Sequence, residues 1–533
     1  MQRQTAKSGA KWVFGIVPAL FAFCTLNRAM CADAPASSDP LLDLFIKKGY
    51  VTEDEAQKVK TEYDALRTNT PAAWPSESKW KISDGIKSVE LFGDLRVRYE
   101  GRNVTDPSGG RIDLNRYRYA VRLGLRGDVM DDFYYGLRLD TAANPRSPWV
   151  TFGSSSSGTP YQGPFGKSTG GINVGQVYIG WRPENWADIV LGKMPNPLYT
   201  TPMLWDTDLN PEGAAEKFKY AIGEADVFAN FGQFLYQDTN PTRSADGYHL
   251  LGNGSSSLPF LLAWQVGVNY HITKELSAKV APVLYNYTGR GFNSAIGSFG
   301  GGTPDFAGTY QGQGSTMGIS GGPPGNYNLA NNSDGFLSNQ TGVNDLLVID
   351  IPWEVNYKFN RYNARLFGDF AYNLQGSRRA QDAYAANQLQ AATFPGTGLE
   401  VIPAPQSHDV KAYQIGFDFG TTGPVYGPMQ GLVYGTASKK NTWEFRTYWQ
   451  HIEQYALDPN LIDSDFFEGR ENLEGMYAAF AYCFTDNIIG TARYGYAHRI
   501  NKNLGTGGSN QDIPQMNPID HYNLIQVDCT FRF

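Results

Sequence analysis

The chain has 533 residues and a formal net charge of -7; 18% of its residues are charged and 14% are aromatic. The acidic balance, without any basic cluster, argues against a protein that binds nucleic acid. No run of 18 apolar residues occurs beyond the N-terminal region, which excludes membrane-spanning helices there. A chain this polar can still cross a membrane as a β-barrel, because half of each barrel strand faces water.

The first 32 residues have the pattern of a secretory signal peptide. Arg3, Lys7 and Lys11 supply the positive region, and residues 13–26 supply the apolar region. Mostly small residues precede the expected cleavage point near Ala32. We therefore predict that the mature chain is exported from the cytoplasm.

Residues 33–84 are predicted to form a short periplasmic helical segment and a linker. Asp39-Pro40 is a helix start, with an N-cap followed by proline at the first helical position. Thr52-Glu53-Asp54-Glu55 is a capping box for a second helix, and Pro71 and Pro75 mark the linker. A plain helical hairpin and a module that stabilises a trimer or contacts the cell wall are both open interpretations.

From residue 88 onward, apolar and polar residues alternate with the period of a β-strand. Sixteen segments show this pattern: 89–100, 116–126, 133–140, 172–183, 186–194, 214–221, 224–236, 259–271, 274–287, 345–359, 363–374, 408–420, 438–453, 472–485, 487–499 and 521–533. Most have a length that suits a tilted crossing of a bilayer. We predict an all-β fold over 85–533, a transmembrane antiparallel up-and-down β-barrel of sixteen strands.

The connections between these segments support the same fold. Short turns and long polar connections alternate along most of the chain, as expected of a barrel with one elaborated end. The connection 421–437 is an exception, since it is long where a short turn is expected; a misplaced strand boundary would explain it. An even number of strands predicts that both termini lie on one side of the membrane, the periplasmic side.

The final segment, His521–Phe533, places an aromatic residue at its end on the apolar face. This arrangement resembles the closing strand of Gram-negative outer-membrane barrels, where the last aromatic residue directs assembly. The resemblance makes Phe533 a predicted assembly signal and the barrel-assembly machinery a predicted partner.

Two short motifs in the middle of the chain carry a wider resemblance. They are Gly192-Lys193-Met194-Pro195-Asn196-Pro197 and the segment from Trp205 to Gly213. Together with the helical leader and Phe533, they resemble the putative porin family of Gram-negative outer membranes. The resemblance implies a passive, water-filled channel for small hydrophilic solutes and ions, surrounded by outer-membrane lipid, with a homotrimer as one assembly. It implies no cofactor.

In general porins the connection after the fifth strand folds into the lumen, and by position 195–213 is that connection. Asp206, Asp208 and Glu212 give this loop an acidic character, and its prolines make it stiff. We predict that it narrows the pore. An ordinary acidic surface loop is the alternative, and a calcium loop is disfavoured because Pro211 stands where glycine is needed.

In the first three strands, the alternation of side chains places a set of basic residues on the face that points to the lumen. Its members are Arg96, Arg98, Arg116, Arg118, Arg122, Arg126 and Arg138, called the arginine wall below. Acidic residues take the lumen phase farther along the chain: Asp350, Glu354, Asp369, Asp418 and Asp528. Opposite signs on opposite walls would set up a field across the pore. Alternatively, the arginines only neutralise neighbouring carboxylates.

Motifs of enzymes are incomplete in this chain. Gly318-Ile319-Ser320-Gly321-Gly322 fits G-x-S-x-G, but it lies in a glycine-rich loop without a strand-to-helix turn. The six histidines are scattered and match no metal motif. We therefore predict no enzyme. Two other functions stay open: a barrel that sheathes a partner protein such as an electron carrier, and an adhesin-like barrel whose 288–344 loop is exposed or plugs the lumen.

Overall fold

The computed structural model describes residues 85–142, 147–153, 171–236, 242–244, 247–249, 260–288, 346–378, 380–381, 409–421, 428–506, 512–513, 516 and 518–533. The chain divides into two compact units, 1–85 and 86–533, and the described residues other than Gly85 belong to the second. The predicted signal peptide, the helical segment and almost all of the 288–344 loop lie outside the described residues. Among those described, no helix has the length and apolar character needed to cross a membrane.

The alternating segments form β-strands, and 376–378 and 380–381 are helical. The strands are β1 Glu90–Thr105, β2 Arg111–Val129, β3 Phe133–Ala142, β4 Val150–Thr151, β5 Gly171–Glu184, β6 Ala187–Lys193, β7 Glu212–Ile222, β8 Ala225–Leu235, β9 Thr242–Ser244, β10 Gly247–His249, β11 Phe260–His271, β12 Leu276–Val280, β13 Val283–Tyr287, β14 Leu347–Asp350, β15 Trp353–Phe359, β16 Tyr362–Asn373, β17 Lys411–Gly420, β18 Trp443–Ile452, β19 Leu473–Cys483, β20 Ile488–Arg499 and β21 His521–Arg532.

These strands close into a barrel of sixteen antiparallel strands, which confirms the predicted fold. β12 and β13 are two halves of one barrel strand, and β14 and β15 are two halves of the next. Proline at 282 and at 352 separates the halves, because proline cannot donate to the strand ladder. β4, β9 and β10 are short additions. The last strand, β21, pairs with β1 over twelve residues and leaves no edge.

The period-two pattern gives the barrel an apolar outer face. At the closing seam, Leu95 of β1 pairs with Phe531 of β21, and both are more than 40% exposed. The same exposure holds around the barrel for Leu91, Leu123, Val177, Ile179, Leu191, Leu366, Phe370, Ile415, Phe417 and Phe480. A continuous exposed surface of this kind is stable in lipid, where apolar side chains need no water.

Phe533 completes the closing seam. Its N–H donates to Gly93 O at 3.1 Å, and Gly93 N–H donates to Phe533 O at 2.9 Å. The Phe533 ring covers Gly93 so closely that an added Cβ there would lie 2.8 Å from the ring and 2.4 Å from the carbonyl oxygen of Arg122. Glycine at position 93 therefore permits this closure. The role of Phe533 as an assembly signal stays a prediction.

Short turns lie at one end of the barrel, called the turn end below; the opposite end is the loop end. Met130, Gly223 and Asn360 adopt the left-handed backbone that such tight turns need. The connection from β17 to β18 also starts at the turn end and is long. β18 begins at Trp443 and not at 438, so the connection is longer than predicted and a misplaced boundary does not explain its length; 428–442 is its described part.

Candidate pore and its lumen segments

Three segments between strands fold back into the barrel. They are the first lumen loop (194–211), the second lumen loop (453–472) and the turn-end segment (428–442). Met203, Phe466 and Leu432, one from each, are at most 1% exposed and belong to a common apolar cluster with inward-facing strand residues. The lumen is therefore partly filled by packed side chains. The sequence predicted the first of these segments only.

The first lumen loop is fixed to β11 and β16 through its backbone and one hydroxyl. Gln265 of β11 accepts a hydrogen bond from Tyr199 N–H at 2.8 Å and donates to Tyr199 O at 2.7 Å. The Thr201 hydroxyl donates to Asp369 of β16. These contacts hold the loop across the lumen, at a defined distance from the strands that carry it.

The three acidic residues predicted for this loop have different surroundings. Asp208 forms an ion pair with Arg122 of β2. Asp206 is 3% exposed and accepts hydrogen bonds from Ser464 N–H at 3.0 Å and Ser464 Oγ at 2.8 Å. Glu212 opens β7 with its side chain 56% exposed, in an ion pair with Lys193. Only Asp206 lies inside the contact between lumen segments.

This contact joins the first and second lumen loops. Asp206 N–H donates to Leu461 O at 2.6 Å, and Asp463 N–H donates to Pro202 O at 3.1 Å. Burial, together with the negative charge of Asp208, raises the pKa of Asp206 to about 7. Burial and the nearby charges of Asp206 and Asp465 also raise the pKa of Asp463 well above its usual range.

We predict that the contact between these loops weakens as the pH rises toward 7. The pKa of Asp206 is higher in the folded chain, at about 7, than its ordinary value of 3.8. The folded state therefore holds a proton that the unfolded state releases, and stability falls between about pH 4 and 7. The facing groups are the carboxylates of Asp208, Asp463 and Asp465, with Arg138 across the adjoining cavity.

The measurement is the melting temperature in detergent at pH 5 and pH 8. From pH 5 to pH 8, the melting temperature of the Asp206→Asn variant should fall less than that of the wild-type protein, because the amide carries no charge at either pH. Equal pH dependence in the two proteins would contradict the prediction.

The arginine wall is heavily paired. Arg98, 2% exposed, donates to Asp528 of β21 at 2.7 Å and to Asp465 of the second lumen loop at 2.6 Å. Its guanidinium lies 3.9 Å from the centre of the Trp149 ring. Buried Glu100 accepts from Arg116 Nε at 2.7 Å. These arginines are held in a dry network that joins strands to the second lumen loop.

The remaining members also have carboxylate partners. The ion pairs are Arg96 with Asp94, Arg118 with Glu100, Arg122 with Asp208, Arg126 with Glu90, and Arg138 with Asp140. Arg126 and Glu90 are both more than half exposed, whereas Arg118 and Arg122 are buried. This arrangement matches the alternative in which arginines neutralise neighbouring carboxylates. The proposed field between charged walls stays a prediction.

The acidic residues farther along the chain are likewise inside the barrel. Asp350, Glu354, Asp369, Asp418 and Asp528 are all at most 5% exposed. Arg365 of β16 and Arg446 of β18 both donate to Asp418, at 2.6 and 2.5 Å. Sequence reasoning did not single out these two arginines, although their inward phase in β16 and β18 could have identified them.

Two cavities lie inside the barrel among the described residues. The larger, about 900 Å³, is near the turn end, where Lys217, Lys219 and His271 line it. The smaller, about 360 Å³, lies beside the first lumen loop, where Arg138 and Gln176 line it. Among the residues of the arginine wall, Arg138 lines the smaller of these two cavities, and the others line neither.

The same five residues line both cavities and therefore form the boundary between them, called the neck below. They are Asn196, Leu198 and Tyr199 of the first lumen loop, Lys279 of β12 and Gln430 of the turn-end segment. Lys279 Nζ lies 3.7 Å from the centre of the Tyr199 ring, a cation–π contact. The first lumen loop forms one side of this neck, and Lys279 and the turn-end segment form the other residues of its lining.

A protein-family model and several solved structures are similar to this chain. A family model described as "Putative porin" matches residues 108–533. Solved structures similar in fold include an anion-selective porin from Comamonas acidovorans, with 11% identity, a TM-score of 0.38, and coverage of 84% of this chain and 99% of that chain. OprB of Pseudomonas putida is another, with 10% identity, a TM-score of 0.40, and coverage of 84% and 94%.

A third is OmpT of Vibrio cholerae, with 11% identity, a TM-score of 0.36, and coverage of 84% and 99%. No curated protein sequence matches the chain. Because the family model spans residues 108–533, the chain belongs to the putative porin family, and its strands close into a sixteen-stranded outer-membrane β-barrel of porin type.

Proposed function

We propose that this protein is a passive diffusion channel for small hydrophilic solutes and ions. The observation that carries the proposal is the pair of cavities inside the barrel that meet at one neck. A barrel of sixteen strands encloses a lumen wider than its side chains can fill. Here the three lumen segments reduce that lumen, so the channel is narrow and admits small solutes.

The orientation belongs to the same proposal. Outer-membrane barrels have short turns on the periplasmic side and long loops outside the cell. On this basis the turn end, with the start of β1 and the end of β21, is periplasmic. The first and second lumen loops then enter the channel from outside, and the turn-end segment enters from the periplasm.

A barrel that sheathes a partner protein is less well supported. The second lumen loop and the turn-end segment place Phe466, Phe467, Leu432 and Val433 in the apolar cluster inside the barrel. A protein threaded through the barrel would have to displace this packing. The homotrimer, the contact with the assembly machinery and the adhesin-like role stay predictions.

The experiment is single-channel recording of the purified protein in planar bilayers with potassium chloride. We expect discrete conductance steps, and swelling of liposomes with sugars that are small but not with larger ones. Protein unfolded by heat before reconstitution is the control. A correctly folded barrel that gives no steps would overturn the channel, and haem that copurifies with it would favour the sheath.

A further inference from the structure

Lys279 differs from the other cations around the two cavities. Lys217 pairs with Asp188 at 2.6 Å, and Lys219 pairs with Asp226 at 3.7 Å. Within the described residues Lys279 forms no ion pair. Its neighbour across the strand pair is Glu354, which is 1% exposed and faces Arg365 at 3.8 Å. The Glu354 carboxylate attracts the Lys279 charge, but no acceptor among the described residues lies within hydrogen-bond distance of the ammonium group, so its N–H donors can bind a ligand at the neck.

The surroundings of Lys279 hold its charge in place. The ammonium group lies over the Tyr199 ring at 3.7 Å and is 5.1 Å from the centre of the Phe228 ring. Tyr199 is itself fixed by two backbone hydrogen bonds to Gln265. An immobile cation at a narrow, partly apolar point interacts with ions more strongly than one in bulk water.

A second donor at the neck also lacks an acceptor. Asn196 Oδ1 accepts a hydrogen bond from Leu198 N–H at 3.0 Å, so the remaining polar group of the Asn196 side chain is its amide nitrogen. Asn196 Nδ2 is buried and has no hydrogen-bond partner among the described residues. A buried donor without an acceptor is costly, and such groups in native structures often await a ligand or water.

The carboxylates that line the cavities are largely engaged elsewhere. Asp188 and Asp226 pair with lysines, and Asp206 accepts three hydrogen bonds within the lumen loops. Glu184 is the last residue of β5, at the turn end. The neck therefore offers two unpaired donors, one of them charged, beside the apolar surfaces of Leu198 and Tyr199.

We propose that the neck is a binding site for small organic carboxylates, in which Lys279 and Asn196 donate to the carboxylate while Leu198 and Tyr199 contact the carbon chain. This site rests on the proposed channel function and names its solute class. A carboxylate accepts from several donors at once, and a short carbon chain suits the apolar part of the neck. Potassium butyrate is the probe with these two properties.

The first measurement uses wild-type protein in planar bilayers under a potassium chloride gradient. The reversal potential should show preference for chloride, and millimolar butyrate should reduce the chloride current with saturation. Absence of any conductance in a folded barrel would defeat the channel itself. Conductance with a chloride preference but without saturable block by butyrate would overturn the carboxylate site and leave the channel intact.

Two variants separate the neck from the wider cavity. Lys279→Met should abolish block by butyrate and lower the chloride-to-potassium permeability ratio by roughly five-fold or more. Lys219→Met is the matched control: it removes the same charge from a residue that lines only the larger cavity, and it should change the ratio by less than about two-fold. Equal effects of the two variants would overturn the assignment of the neck.

Two further variants test the roles of charge and amide. Asn196→Ala should weaken block by butyrate while leaving the reversal potential near that of the wild type, because no charge is removed. Lys279→Arg should keep the chloride preference. If Lys279→Met fails to fold, Lys279→Gln, which also removes the charge, replaces it in the comparison with Lys219→Met. Loss of chloride preference in a folded Lys279→Arg barrel would contradict the proposal. Folding is checked by the heat-dependent shift in gel mobility.

Discussion

Replacing Arg98 with methionine is expected to destabilise the barrel by about 3–5 kcal/mol, the usual cost of removing one partner of a buried ion pair. Arg98 and Asp528 are at most 3% exposed at their side chains, and two hydrogen bonds join them. Methionine fills similar space but leaves the Asp528 carboxylate with one cation fewer. It also releases Asp465 of the second lumen loop.

The position of Arg98 makes this effect large. Asp528 belongs to β21, the strand that closes the barrel, so the pair lies at the seam between first and last strands. Asp465 joins the same guanidinium to the second lumen loop, and Arg493 of β20 also contacts Asp528. One side chain thus stabilises both the seam and a lumen segment.

Urea unfolding in detergent, followed by tryptophan fluorescence, measures the change. Arg126→Met is the matched control, because Arg126 of β2 pairs with Glu90 of β1 at 2.7 Å but at an exposed position. Exposed pairs contribute little, so no measurable change is expected. The double variant Arg98→Met with Asp528→Asn should recover part of the loss. Equal destabilisation by Arg98→Met and Arg126→Met would contradict this account.

The contrast between these two arginines shows what local sequence could and could not predict. Both follow the same period-two pattern in neighbouring strands, and that pattern depends only on which side chain faces which way. Strand location was therefore predictable for all sixteen strands, including the last at His521–Arg532. Burial of Arg98 depends on Asp465, which is 367 residues away in the sequence. No local sequence pattern can predict a contact between residues so far apart in the chain.

The lumen segments illustrate the same limit. The first lumen loop was predicted from its position after the fifth strand, because a family resemblance supplied that position. In the sequence, the turn-end segment was indicated only by the unexpected length of the connection 421–437. Its inward path depends on Arg446, which donates to Pro428 O at 2.7 Å and Gln430 O at 2.6 Å. A side chain of β18 thus fixes a backbone that carries no periodic signal of its own.

The neck was missed for a related reason. Lys279 is a single cation in a strand, and nothing in the sequence separates it from Lys217 or Lys219, which share the inward phase of β7. The difference arises from partners: those two lysines form ion pairs with carboxylates, whereas Lys279, beside Glu354 in the sheet, forms none among the described residues and contacts the Tyr199 ring. Tyr199 reaches Lys279 because the first lumen loop folds inward and is held by Gln265.

Shortening the first lumen loop is expected to raise the single-channel conductance several-fold. Replacement of 197–209 by a Gly-Ser-Gly linker removes Leu198 and Tyr199 from the neck, so that the two cavities merge. It also removes Trp205, which packs on Phe234 with ring centres 6.1 Å apart, and this loss should lower the melting temperature. The strands and their apolar outer face do not depend on this loop, so the barrel should still form.

The matched control replaces as many residues, thirteen, by the same Gly-Ser-Gly linker at 300–312 of the 288–344 connection, where the sequence predicts a loop that folding does not require. Conductance should then equal that of the wild type. A rise in both variants would mean that the 288–344 connection also obstructs the lumen. An unchanged conductance in the first variant would mean that solutes do not pass the neck.

The shortened loop also tests how Lys279 acts. In the wild-type neck, a permeating ion must come close to the Lys279 ammonium group, with few mobile ions between them. In the widened lumen, salt screens charges beyond about 10 Å at 0.1 M, so most ions pass without strong interaction with Lys279. Lys279→Met should therefore shift the reversal potential strongly in the full-length chain and weakly when 197–209 is replaced. Equal shifts in the two backgrounds would mean that Lys279 acts on ions throughout the lumen, and that Tyr199 and the loop contribute nothing to selectivity.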